Sequence, residues 1–115
     1  MVKIRFYVDR NTKAIKFNAA GHAESNEYGN DIVCSAVSIL AYTLAQNIND
    51  AYDRGYLKYS PVIIMQSGSA TVNCKAKESR YSDIINIYRV IQTGYDLLEK
   101  KYSQYVDIIK FDEDV

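Results

Sequence analysis

The sequence holds two cysteines and one histidine, so any thiol–imidazole chemistry must draw on Cys34, Cys74 and His22. Cys74 alternates with Ala70, Val72 and Ala76, a strand pattern that points it into a core, where a buried thiol is inert. Cys34 follows Asn30-Asp31-Ile32-Val33, and either Asn30 or Asp31 is a good N-cap for a helix starting there. On that reading Cys34 sits in the first helical turn, where unpaired backbone N–H groups and the helix dipole favour negative charge. Such a setting lowers a thiol pKa from about 8.5 to between roughly 3.5 and 7.5, supplying a nucleophile at neutral pH. The same amides could hold the oxyanion of an acyl-transfer step. Position alone also fits a second reading, a small residue packed on an apolar helix.

His22 falls just beyond a predicted strand and before Cys34, across the sequence Gly21-His22-Ala23-Glu24-Ser25-Asn26-Glu27-Tyr28-Gly29-Asn30. This stretch has no hydrophobic period and two glycines, which predicts a loop. A strand-end histidine and a helix-start cysteine joined by such a loop make a Cys–His dyad geometrically reasonable. Gly21, Ala23, Glu24, Glu27 and Gly29 are read as parts of a flexible loop that orders when a peptide arrives. Glu24 and Glu27 make it acidic, which beside a cleft favours a basic peptide. Asp31 has two readings, a helix cap or a group that orients His22. Ser38 lies one turn after Cys34, either within reach of a site group or bonded to its own helix. No CxxC and no second histidine are present, so neither a metal nor another cofactor is expected.

The elements that must position these residues are legible from periodicity. Val2, Ile4, Phe6 and Val8 alternate with polar residues, turn chemistry follows at Asp9-Arg10-Asn11-Thr12, and Ile15, Phe17 and Ala19 alternate again, a β-hairpin. A helix then runs toward Gly55, with Ile32, Ala36, Ile39, Leu40, Leu44, Ile48 and Ala51 as its apolar face. Cys34, Ser38, Ala41 and Ala45 form a second, small-residue face against which something can lie close. Residues 62–65 and 70–76 read as a second hairpin around Ser67-Gly68-Ser69. Residues 81–102 carry the strongest helical pattern, with Ser79 or Ser82 as a cap, and residues 105–111 form a last strand. The expectation is one α+β domain over 1–115, two layers in the order ββαββαβ. Its mostly antiparallel sheet carries two helices packed on one face.

Composition narrows the partners. The 115 residues include 14 Lys+Arg and 14 Asp+Glu, and that zero net charge argues against direct nucleic-acid binding. The longest weakly polar stretch, Ile32 to Ala45, is shorter than the ~20 residues of a spanning helix, so no membrane is expected. Met1-Val2-Lys3-Ile4-Arg5-Phe6-Tyr7 lacks an apolar h-region, and two cysteines without an export signal suggest a reducing cytoplasm. Eleven tyrosines suit half-buried and contact surfaces.

Gly21-His22-Ala23, followed by Gly29-Asn30-Asp31-Ile32-Val33-Cys34-Ser35-Ala36-Val37-Ser38, closely resembles the ribosomal-processing cysteine protease family called Prp. The likeness extends to the chain length, the ββα opening, the tyrosine-rich body and the acidic C-terminal residues. Ser35 departs from the alanine common in that family, a small-for-small change. The resemblance implies a cytoplasmic bacterial endopeptidase, typically a homodimer. The implied substrate is a ribosomal protein precursor, the N-terminal extension of large-subunit ribosomal protein twenty-seven. It also implies Cys34 as nucleophile and His22 as base, with Asp31 and Ser38 as supporting members of the motif. Two other readings of the residues remain at this point. One is a non-enzymatic adaptor binding a ribosomal protein or the ribosome; the other is a thiol redox or acyl-transfer enzyme, for which Cys74 is badly placed as a resolving thiol.

Overall fold

The computed structural model describes residues 1–21 and 28–112, and of residues 28–31 it describes the backbone. Its elements run β1 (Val2–Asp9), β2 (Ala14–Ala20), α1 (Tyr28–Asp53), β3 (Val62–Gln66) and β4 (Ser69–Lys75). A short 3-10 turn, Glu78–Arg80, leads into α2 (Tyr81–Lys101), and β5 (Val106–Asp112) follows. This is the expected ββαββαβ order. The five strands form one sheet in the order β3-β4-β2-β1-β5. All pairs are antiparallel except β1 with β5, which run parallel with Val2 opposite Val106.

Alternation along each strand sends one set of side chains under the helices and leaves the other on an uncovered face. Ile4, Phe6, Val8, Ile15, Phe17, Val72 and Val106 fill the helix side. Phe6 and Phe17 meet Tyr88 and Tyr95 of α2 with ring centroids 5.4–5.7 Å apart, mostly edge-on or tilted. Tyr88 and Tyr95, which fall on the apolar stripe of the helical pattern over residues 81–102, are thus fully buried. Each keeps its hydroxyl bonded. Tyr88 accepts from the Tyr7 N–H at 2.9 Å and also donates to the Lys16 carbonyl. Burial pushes both phenols above their ordinary ionisation range.

α1 differs from its sequence reading in two ways. It begins at Tyr28, two or three residues before Asn30 or Asp31. Poor helix formers are tolerated there because the first four N–H groups need no intrahelical partner. Its buried stripe is also rotated: Val33, Ala41, Leu44, Ala45, Ile48 and Ala51 are buried, while Ile32 and Ile39 are exposed. The alanines let the helix axis approach the sheet, so the partner of the small-residue face at its buried end is the sheet itself. By length and composition Ile32–Asp53 is apolar enough to cross a membrane, a longer stretch than the one weighed from sequence. Only part of that apolar surface packs in the core, since Ile32, Ile39, Tyr42 and Tyr52 are exposed.

α2 closes on α1 at Gly94, where an added Cβ would lie 2.8 Å from a Leu40 methyl. Neither Ser79 nor Ser82 caps it; Arg80 occupies the N-cap position and no side chain bonds there. α2 also guards the outer edge of β5. Glu99 accepts the Ile108 N–H at 2.8 Å, and Arg89 and Asp96 pair with Asp112 and Lys110. An edge strand so covered offers fewer open donors to another chain.

Candidate active site

Cys34, Ser38 and Tyr42 stand at four-residue steps on the flank of α1, and all three line one cleft of about 360 Å³. The opposite wall is the β3–β4 hairpin from Met65 to Ala70, and Val2, Ala19 and Ala41 contribute to the lining. The hairpin reaches this place because β4 pairs with β2, setting Ser69 opposite Ala20 at the strand end from which the chain departs toward position 22. Cys34 is half-buried and Ser38 exposed, so the thiol is open to the cleft.

Gly21 fixes the rim. Its φ of +110° is a conformation that L side chains rarely adopt, and an added Cβ would lie 2.5 Å from the Met1 carbonyl oxygen. Its N–H donates to the Gly68 carbonyl at 3.0 Å, joining the end of β2 to the hairpin turn. Gly21 is expected within a flexible loop; in the structure its N–H is bonded to the hairpin turn and the Met1 backbone packs close against it. Gly29 was placed in the same loop and lies within α1. His22, Ala23, Glu24 and Glu27 lie outside the described residues.

The early start of α1 changes the local electrostatics. Asp31 is the fourth helical residue, so it is not the N-cap; it occupies the first turn, where a carboxylate suits the helix dipole. Cys34 is the seventh residue and therefore in the second turn, with its own N–H inside the i→i−4 ladder. The unpaired donors belong to residues 28–31. Helical side chains lean toward the N-terminus, which carries the sulfur of Cys34 back toward that turn.

The other thiol is a contrast. Cys74 is buried under the helices, and desolvation pushes its pKa up to about 12. Both cysteines are free. Among the described residues no three His, Cys, Asp or Glu side chains cluster as a metal-binding set. Sequence reading missed the hairpin wall. Ser67-Gly68-Ser69 is visible as a turn, but only the β2–β4 register places it across from Cys34.

Solved structures share this architecture. SMU.848 from Streptococcus mutans superposes with a TM-score of 0.68 at 23% identity, over 96% of this chain and 94% of that one. The essential ribosomal processing protease Prp from S. aureus, in complex with a substrate peptide, matches with a TM-score of 0.62 at 19% identity. The same S. aureus protease with a covalently linked product peptide gives 0.66 at 19% identity. Both comparisons cover 96% of this chain and 99% of theirs. No curated protein matches the sequence. The model of the cysteine protease Prp family matches residues 1–107. The chain therefore belongs to the cysteine protease Prp family and is a cysteine endopeptidase.

Proposed function

We propose that Cys34 and His22 form the catalytic dyad. In this reading the chain removes the N-terminal extension of large-subunit ribosomal protein twenty-seven, in the cytoplasm and as a homodimer. The observation that carries it is the cleft between α1 and the β3–β4 hairpin, with the Cys34 thiol on its wall and Gly21 at its rim. That the S. aureus protease was solved both with a substrate peptide and with a covalently linked product peptide supports a peptide as substrate here.

The chemistry follows from those groups. His22 takes the Cys34 proton, and the thiolate attacks the scissile carbonyl to give a tetrahedral oxyanion. The amides of residues 28–31, one turn before the thiol, are the donors assigned to that oxyanion. Protonated His22 then gives its proton to the leaving amine, and the C–N bond breaks to leave a thioester on Cys34. Water, deprotonated by His22, attacks the thioester and restores the thiol. Asp31 and Ser38 support the pair, Ser38 from the same helix flank as the nucleophile.

The test is cleavage of a peptide spanning the precursor's cut site. Cys34→Ala should abolish turnover and His22→Ala should lower it by about 10²–10⁴-fold. Near-normal cleavage by either variant overturns the dyad. Size measurement in solution checks the dimer, and a monomer retaining full activity removes that part.

A further inference from the structure

The sheet face away from the helices carries a diagonal of cations. On that face the register sets Lys16 beside Tyr7 and Asn73, with Arg5 two residues before Tyr7, Lys3 two before that, and Lys75 two beyond Asn73. Successive members Lys75, Lys16, Arg5 and Lys3 are then about 7–8 Å apart, the spacing of diagonal and alternate positions in a sheet. Lys3, Arg5 and Lys16 are exposed. Among the described residues none of the four is in an ion pair, whereas Arg89 and Lys110 are. Among the described residues, the carboxylates on this face are Asp107, opposite Lys3, and Asp9, whose oxygen accepts N–H groups from its own hairpin.

Two aromatic rings flank the diagonal. Tyr7 and Phe111 are register partners across β1 and β5, and Phe111 is 56% exposed. Lys16 Nζ lies 5.3 Å over the Tyr7 ring. Arg5, Tyr7, Lys16, Asn73 and Phe111 all border one depression of about 350 Å³.

We infer that this open sheet face is a docking surface for a single-stranded RNA segment. A track of cations follows a phosphate backbone, and the exposed Phe111 ring, beside the half-buried Tyr7, offers a stacking face to bases. The zero net charge of the chain sums over faces of opposite character and conceals this one. An acidic polypeptide would use the cations but not the rings. A second copy stacked face to face about a two-fold axis would set Arg5 and Lys16 near their own duplicates, which disfavours that occupant. The Cys34 cleft lies under α1, so the surface stands independently of the dyad.

The test is fluorescence anisotropy of a labelled oligouridine of about 12 nucleotides. With four phosphate contacts the affinity should fall with a log–log salt slope of about −3, about fiftyfold between roughly 50 and 200 mM. Arg5→Gln with Lys16→Gln should halve that slope. Phe111→Ala, at an exposed edge position, should weaken binding about tenfold with an unchanged slope. A polyglutamate peptide of equal length should bind more weakly and ignore Phe111→Ala. Thermal melts of each variant check that it is folded. No oligouridine binding at the lower salt overturns the proposal. Equal binding of polyglutamate with no Phe111 effect assigns the face to acidic polypeptides, and a dimer split by Phe111→Ala assigns it to a second copy; either also overturns it.

Discussion

The Tyr95 hydroxyl donates a 2.8 Å hydrogen bond to the Val37 carbonyl, three residues beyond Cys34 on α1. The ring itself is buried against Phe6 and Phe17, so a residue of α2 braces the cleft-lining part of α1 from below. Tyr95→Phe keeps the packing and deletes the bond. It should lower stability by about 0.5–1.5 kcal/mol, read from urea unfolding. Cleavage should change less than stability does, because Val37 is not among the reacting groups.

The two thiols should separate cleanly toward an alkylating reagent. Cys34 lines an open cleft, whereas Cys74 is buried with its pKa pushed up to about 12. Iodoacetamide near pH 8 should label Cys34 in the folded protein and Cys74 only after denaturation. Mass spectrometry of the labelled peptides checks this, and equal labelling of both sites in native buffer contradicts it.

Alkaline pH should destabilise the fold through the same buried thiol. Cys74 ionises near 9 when exposed and near 12 when folded. Below pH 9 both states hold the proton and stability is full. Above it the unfolded chain binds fewer protons, so stability falls with rising pH until the folded pKa is passed. The loss from this group is on the order of 4 kcal/mol by pH 12. Tyr88 and Tyr95, also raised by burial, act in the same direction at higher pH. The urea midpoint should drop from pH 9 upward, and Cys74→Ala should flatten that slope whatever it costs in packing.

Gly21→Ala should be more damaging than its size suggests. The backbone there sits at φ +110°, and the new methyl would lie 2.5 Å from the Met1 carbonyl oxygen. Positive-φ strain alone costs about 1–3 kcal/mol, and the contact adds to it. A lowered Tm with weakened cleavage is expected, whereas Gly55→Ala, in the turn after the far end of α1, should leave cleavage rates unchanged.

Cleavage should also weaken as salt rises, if Glu24, Glu27 and Asp31 attract a basic substrate. Screening shortens the reach of exposed charges to about 10 Å at 0.1 M ionic strength. Initial rates on a basic peptide measured across a salt series check this, and a flat profile removes the electrostatic contribution.

Much of the scaffold was legible because strand alternation at Val2–Val8 and Ile15–Ala19 and the helical period of Ile84–Leu98 are strong local signals. The start of α1 was not. Gly29 reads as a loop residue, yet a glycine in a first turn forfeits little when those amides lack helical partners anyway. The rotation of α1 was hidden for a different reason: Ile32 and Ile39 outrank Ala41 and Ala45 in hydrophobicity, but close approach to the sheet favours the alanines. For the site, the strand alternation around Cys74 marked it as a core thiol, whereas the local pattern around Cys34 left two readings open. The hairpin wall and the Gly21–Gly68 link depend on the β2–β4 pairing across roughly fifty residues, which no local pattern encodes.

Pairing β1 with β5 has a consequence for synthesis. Val2 donates to the Tyr105 carbonyl and Val2 itself borders the Cys34 cleft, so one margin of that cleft is buttressed by residues translated more than a hundred positions later. A nascent chain lacking β5 keeps a bare strand edge beside the unfinished cleft. Proteolytic competence should therefore arrive late, after the last strand has cleared the ribosome's exit, which delays any hydrolysis by the chain while it is still being made.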